Sequence, residues 1–196
     1  MKNLTCAIFV IFMTISFLFA QEIGNINPQL TERPWVDKET RIIDGHSITQ
    51  VFGETPAVYR HTNLGPITTV SFRSPEQVAD SIREIAIINN WSESELDEKL
   101  DYFNKNAPGG LLNIFISRAD ESRANFKWFF VIIRDKEDQK VTEIDLDYQA
   151  PQLPEGNGWW NYTTVMIDKP VQIPFFIYLN DKQSNHLSDF KFEISQ

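Results

Sequence analysis

The sequence predicts a mostly β protein of the α+β class, an antiparallel β-sandwich carrying a two-helix insertion. Three observations lead to it. About eight or nine short runs of β-branched and aromatic residues are separated by turn signals, the pattern of stacked antiparallel sheets. A single stretch, residues 75–107, changes to a helical period. Strands and helices do not alternate along the chain, so a parallel sheet of βαβ units is excluded.

Residues 1–20 are expected to be an export signal peptide. Lys2 is their only charge, and the apolar run over residues 7–19 is shorter than the roughly 20 residues that span a bilayer. Cleavage is expected after Ala20, although Leu18 stands where a small residue is usual, which leaves an uncleaved anchor as the alternative. Cys6 precedes the apolar run, so lipid attachment there is not expected, and no other cysteine follows. A disulfide framework, a thiol nucleophile and a thiolate metal site are therefore excluded. Residues 21–39, with Pro28 and Pro34, read as an extended leader, and residues 40–196 as a single β-sandwich domain. The 196-residue chain carries a net charge of −9 and becomes more acidic when Lys2 leaves. That balance argues against nucleic acid or an anionic bilayer as partner, and no later apolar run is long enough for membrane insertion once the signal is removed.

The first strands are expected at residues 41–52, 57–62 and 67–73, bounded by Asp44-Gly45, Gly53-Glu54 and Asn63-Leu64-Gly65-Pro66. Asp44-Gly45 leaves open a split of the first strand into a hairpin. Ser74, Pro75 and Gln77 are an N-cap, a first-turn proline and a capping-box partner, ahead of Val78, Ile82, Ile85 and Asn89 at helical spacing. Ser92 and Glu95 form a second capping box before Leu96, Leu100 and Phe103, and the helix stops ahead of Pro108-Gly109-Gly110. So short a link makes the helices a packed pair, with Trp91 at the corner and Glu93, Asp97, Glu98 and Asp101 facing water. Strands resume at residues 111–118, 159–167, 171–179 and 189–194, and Pro174 is expected to hold its strand at an edge or a bulge.

Residues 126–148 are the longest β-type run and are expected to form a central hairpin. A loop over Lys136, Glu137 and Asp138 pairs Asp135 with Gln139. An unbroken ladder then sets Phe130 opposite Ile144, Trp128 opposite Leu146 and Lys127 opposite Asp147, with Phe126, Trp128, Phe130 and Ile132 inward.

Candidate chemistry is sparse. The chain has no G-x-S-x-G, H-E-x-x-H, P-loop or G-x-G-x-x-G motif, so neither a cofactor nor a catalytic residue is assigned. His46, His61 and His186 are isolated and read as surface or turn residues, with Asp44 and His46 a chance pair. Glu143, Asp145 and Asp147 line one strand face about 7 Å apart, spacing that suits a hard cation or an acid pair for glycosidic hydrolysis. The ordinary reading is a solvated face neutralised by Lys127 and Lys140. The most suggestive surface is residues 154–162, PEGNGWWNY. Adjacent strand residues face opposite ways, so one of Trp159 and Trp160 is core, and parity with Tyr162, Thr164 and Met166 points to Trp160. Trp159 would then be exposed beside Glu155, Asn157 and Asn161, where a ring face and amides suit a sugar; the ordinary reading is that both tryptophans are buried against the helical pair. The expected function is that of an exported, periplasmic or extracellular, non-enzymatic protein that binds a glycan or an envelope or extracellular protein. The alternatives are an extracytoplasmic hydrolase using paired carboxylates and a structural accessory domain.

Overall fold

The computed structural model describes residues 40–53, 67–152, 158–183 and 190–196. Nine strands fall within them: β1 (Thr40–Ile43), β2 (His46–Gly53), β3 (Ile67–Arg73), β4 (Leu111–Arg118), β5 (Phe129–Arg134), β6 (Lys140–Asp145), β7 (Trp159–Met166), β8 (Phe175–Asp181) and β9 (Phe190–Ser195). Two helices, α1 (Pro75–Ile88) and α2 (Glu93–Asn106), lie between β3 and β4. One sheet has six strands in the order β1-β2-β9-β8-β5-β6, the other three in the order β3-β4-β7, and every pairing is antiparallel. The strand expected at residues 57–62 lies outside the described residues.

Alternation builds the core. Phe129, Val131 and Ile133, Phe175, Ile177 and Leu179, and Phe190, Phe192 and Ile194 project from one face of the large sheet. They form a single cluster with Val70, Phe72, Leu112, Ile114, Ile116, Val165 and Ile167 of the small sheet and the residue after it. This is the expected sandwich, with side chains of both inner faces in one layer. Phe72 meets the ring of Phe175 edge-on at 5.0 Å and lies 5.1 Å from His46, so it locks the two sheets together.

The Asp44-Gly45 alternative is the one adopted. Asp44 (φ 52°) and Gly45 (φ 76°) both take left-handed backbone, as a type I′ turn requires, and β1 pairs β2 across it. The turn is tied to the helical pair. Gln77 accepts from the Ser74 backbone N–H (2.8 Å) through Oε1 and donates from Nε2 to the Asp44 carbonyl (2.6 Å). The same Oε1 lies 3.0 Å from His46 Nε2, so His46 donates there as the Nε2–H tautomer. His46 is thus a buried structural residue beside the turn, a turn histidine and not a surface one, and it is the carbonyl of Asp44 that enters the network.

Both helices start where the sequence places them, each with its capping box formed. Val78, Ile82, Phe103 and Ala107 pack with Leu111, joined by Trp91, Leu96, Leu100 and Met166, so the pair sits on the outer face of the small sheet. Glu93, Asp97, Glu98 and Asp101 face water as expected. After α2, Gly109 donates to Ile167 O and Gly110 O accepts from Ile167 N, both at 3.0 Å. A side chain at Gly109 would stand 2.2 Å from the Lys169 carbonyl, so only glycine permits this approach. Among the described residues no helix is long and apolar enough to cross a membrane.

The central hairpin departs from its expected register. Asp135 N does donate to Gln139 O (3.0 Å), and Asp138 closes the loop at φ 62°. Arg134 then pairs Lys140, but Ile133 pairs Thr142, so Val141 is an extra residue and the ladder shifts by one. Val131 therefore faces Ile144, and Phe130 faces Asp145. The inward set of β5 is Phe129, Val131 and Ile133, while Phe126–Trp128 is a 3-10 turn. The expected register assumed an unbroken ladder between two strands, whereas β5 is also bound to β8, which sets Ile133 beside Ile177 in the core. Complete burial is worth about 1.5–3 kcal/mol per large apolar side chain, and β5 carries such residues on both faces, so a single bulge sufficed to choose the other set. Pro174 stands just ahead of β8, which lies inside the sheet and not at the expected edge.

Candidate ligand face of the small sheet

The three strands of the small sheet turn alternate residues away from the core. Register sets them in rows: Ile67, Ser117 and Trp160; then Thr69, Phe115 and Tyr162; then Ser71, Asn113 and Thr164; and last Arg73, Leu111 and Met166. The helical pair packs on Leu111 and Met166, so the first two rows form the part beyond its cover. There Phe115 and Trp160 stack with ring centroids 6.0 Å apart and planes 26° from parallel. Both rings are half-buried, as is Tyr162 in the row of Phe115.

Beside the rings lies a polar cluster. Asn113 is only 3% exposed, and its Oδ1 accepts from the Tyr162 hydroxyl (2.8 Å) and the Thr164 hydroxyl (2.9 Å). Its Nδ2 donates to Ser71 Oγ at 3.1 Å. A buried asparagine in an otherwise apolar strand is costly unless its groups are paired, and here neighbouring strands pair them. Burial raises the pKa of the Tyr162 phenol, an effect opposed by its hydrogen bond with Thr164, reinforced by the charge of Asp44 and opposed by that of Arg73. The phenol is therefore neutral at physiological pH.

The residues singled out from sequence fall differently. Trp160, expected in the core, is on the outer face, and Trp159, expected outside, is half-buried on the side of Asn161, Val165 and Ile167. The apolar character of Tyr162, Thr164 and Met166 is what points inward in the sequence. Tyr162 and Thr164 instead meet partners on the outer face, while Val165 and Ile167 reach the shared core. Asn161, expected to offer its amide to a ligand, is fully buried. Its Nδ2 donates to Ala124 O (3.0 Å) and Gln149 O (2.8 Å), and its Oδ1 accepts from Tyr162 N (2.9 Å), so no donor remains. Gln152 pairs with the backbone of Trp160 in the same region, laying the chain along the edge of β7. Glu155 and Asn157 lie outside the described residues. Asn113 and Phe115 were missed and Tyr162 was expected inward, although Asn113 amid the apolar residues of β4 is a signal of a partnered polar site.

The carboxylates of the hairpin are not gathered into a site. Glu143 and Asp145 are exposed on β6, the edge strand, where Glu143 pairs with Lys140 (3.1 Å) and Asp145 with Lys182. Asp147 lies exposed beyond the strand end. Lys127, expected to neutralise this face, instead lies 4.5 Å from the centre of the Trp128 ring. Among the described residues no three of His, Cys, Asp and Glu are grouped to hold a metal ion.

One buried charge is structural. Arg118, at the end of β4, is turned inward over the rings of Phe129 (5.2 Å) and Phe190 (5.7 Å). Its Nη1 donates to Ile67 O (2.6 Å) and Ser117 O (2.9 Å), and Nη2 to Thr68 Oγ1 (3.0 Å), which pins the start of β3 to β4. Burial pushes its pKa down to about 10, with Asp181 acting against the shift, so the guanidinium stays charged at neutral pH.

No family model matches the chain, and neither a curated protein nor a solved structure matches it.

Proposed function

We propose that this is an exported, non-enzymatic β-sandwich protein that binds a glycan on the outer face of its small sheet. The observation that carries the reading is the Phe115–Trp160 pair standing beside the Asn113, Tyr162 and Thr164 cluster. A sugar ring has an apolar face that stacks on an aromatic ring and hydroxyls that pair with fixed polar groups, and this face offers both within adjacent rows. Export rests on the apolar leader of residues 1–20. Less supports the hydrolase alternative, because Glu143 and Asp145 each face a lysine on an exposed edge strand.

The test is a glycan array probed with the protein lacking residues 1–20 and with its Trp160→Ala and Phe115→Ala variants, each checked by thermal melting. Both rings are half-buried, so each truncation should cost less than the about 3–5 kcal/mol of a fully buried aromatic, and the melting curves check that the variants are folded. Saccharide binding that is lost in both variants supports the reading. Binding that survives in both sinks it. If no saccharide binds and an extracellular protein is captured through the same face, a protein-binding function replaces it.

A further inference from the structure

We infer that the ligand face takes an uncharged, hydroxyl-rich sugar and discriminates against acidic ones, with the oxygens of Tyr162 and Thr164 as its acceptors. The inference rests on the reading above and adds the chemistry of the ligand. It follows from an account of protons. Each hydroxyl has one proton, and both protons go to Asn113 Oδ1, at 2.8 Å from Tyr162 and 2.9 Å from Thr164. The two hydroxyl oxygens lie 3.3 Å apart, so Thr164 can turn its proton to Tyr162 instead, and in either arrangement each oxygen keeps an acceptor site. Asn113 is too deeply buried to meet a ligand itself. It acts as the acceptor that turns both hydroxyls into acceptors towards the outside.

Two acceptor oxygens beside a stacked aromatic pair call for a ligand that brings donors. Sugar hydroxyls do so. A uronate or sulfate group only accepts at neutral pH and would place its lone pairs against those of Tyr162 and Thr164. The wider field acts in the same direction, since the chain carries a net charge of −9, while at Tyr162 itself the charge of Asp44 is opposed by that of Arg73. Burial strengthens the discrimination, because a half-buried polar group that meets the wrong partner is not rescued by water.

Calorimetry with a neutral hexose oligosaccharide, and with the same backbone carrying uronic acid, tests this on the full sandwich domain. The neutral sugar is expected to bind at least about tenfold more tightly, and Tyr162→Phe and Thr164→Val should each weaken it about three- to tenfold, the range of one net hydrogen bond. Thr164→Ser keeps the hydroxyl and should keep the affinity, which separates loss of an acceptor from loss of packing. An acidic sugar that binds as tightly as the neutral one through a Trp160-dependent site overturns the inference and leaves the glycan-binding function standing. Unchanged affinity in both Tyr162→Phe and Thr164→Val overturns it as well. Absence of any Trp160-dependent saccharide binding removes both.

Discussion

Asn161→Ala should be among the most damaging polar substitutions in this protein, and its cost can be worked bond by bond. Asn161 lies in β7 with no exposed surface and makes three hydrogen bonds. One of its partners is stranded when the amide is removed. The Ala124 carbonyl belongs to a residue with 0% exposure. Leaving such a group unpaired costs about 1–3 kcal/mol. Gln149 is exposed and Tyr162 half-buried, so the carbonyl of the one and the N–H of the other regain water and add only about 0.5–1 kcal/mol each. The sum is about 2–5 kcal/mol, a large part of the roughly 5–15 kcal/mol by which a domain is usually stable. Urea unfolding followed by tryptophan fluorescence measures it as a drop in midpoint with the slope unchanged. A loss below about 1 kcal/mol would refute the reasoning and return Asn161 to the role of a surface amide free to bind a ligand.

Ile133→Ala should cost about 2–5 kcal/mol and Ile132→Ala about 1 kcal/mol or less, because Ile133 is fully buried and Ile132 faces outward; equal losses on urea unfolding would contradict the bulged register. The Glu95 carboxylate has its pKa lowered first by its hydrogen bond with the Ser92 backbone and then by that with the Ser92 side chain. Its stabilising contribution is thus present above the unfolded carboxylate range and lost as pH falls through the folded value. We expect Glu95→Gln to remove this acid sensitivity at the start of α2, read by amide exchange at Leu96 and its neighbours, and an unchanged profile would count against the cap. Gly109→Ala should lower the melting temperature sharply, since its methyl group would meet the Lys169 carbonyl at 2.2 Å; a melting temperature unchanged from that of the parent would show that the α2–β4 connection yields at no cost.

What the sequence determined by itself is local. Ser74 with Gln77, and Ser92 with Glu95, close hydrogen-bonded rings within four residues, so both helix starts were legible from those residues alone. The alternation of Phe190, Phe192 and Ile194 with Lys191 and Glu193 likewise specified which side of β9 enters the core. Two packed sheets followed from the number and spacing of such runs. Tertiary structure decided which face of β5 and of β7 is buried, because both strands carry large side chains on both sides and alternation then has two nearly equal solutions. For β5 the choice was made by β8 and by the extra residue Val141, and for β7 by the partners that Asn161 finds at Ala124 and Gln149. The candidate site belongs to the same class of decision. Phe115 and Trp160 lie on different strands, and only the pairing of β4 with β7 sets their rings together beside Asn113, a contact that no local pattern in either strand encodes.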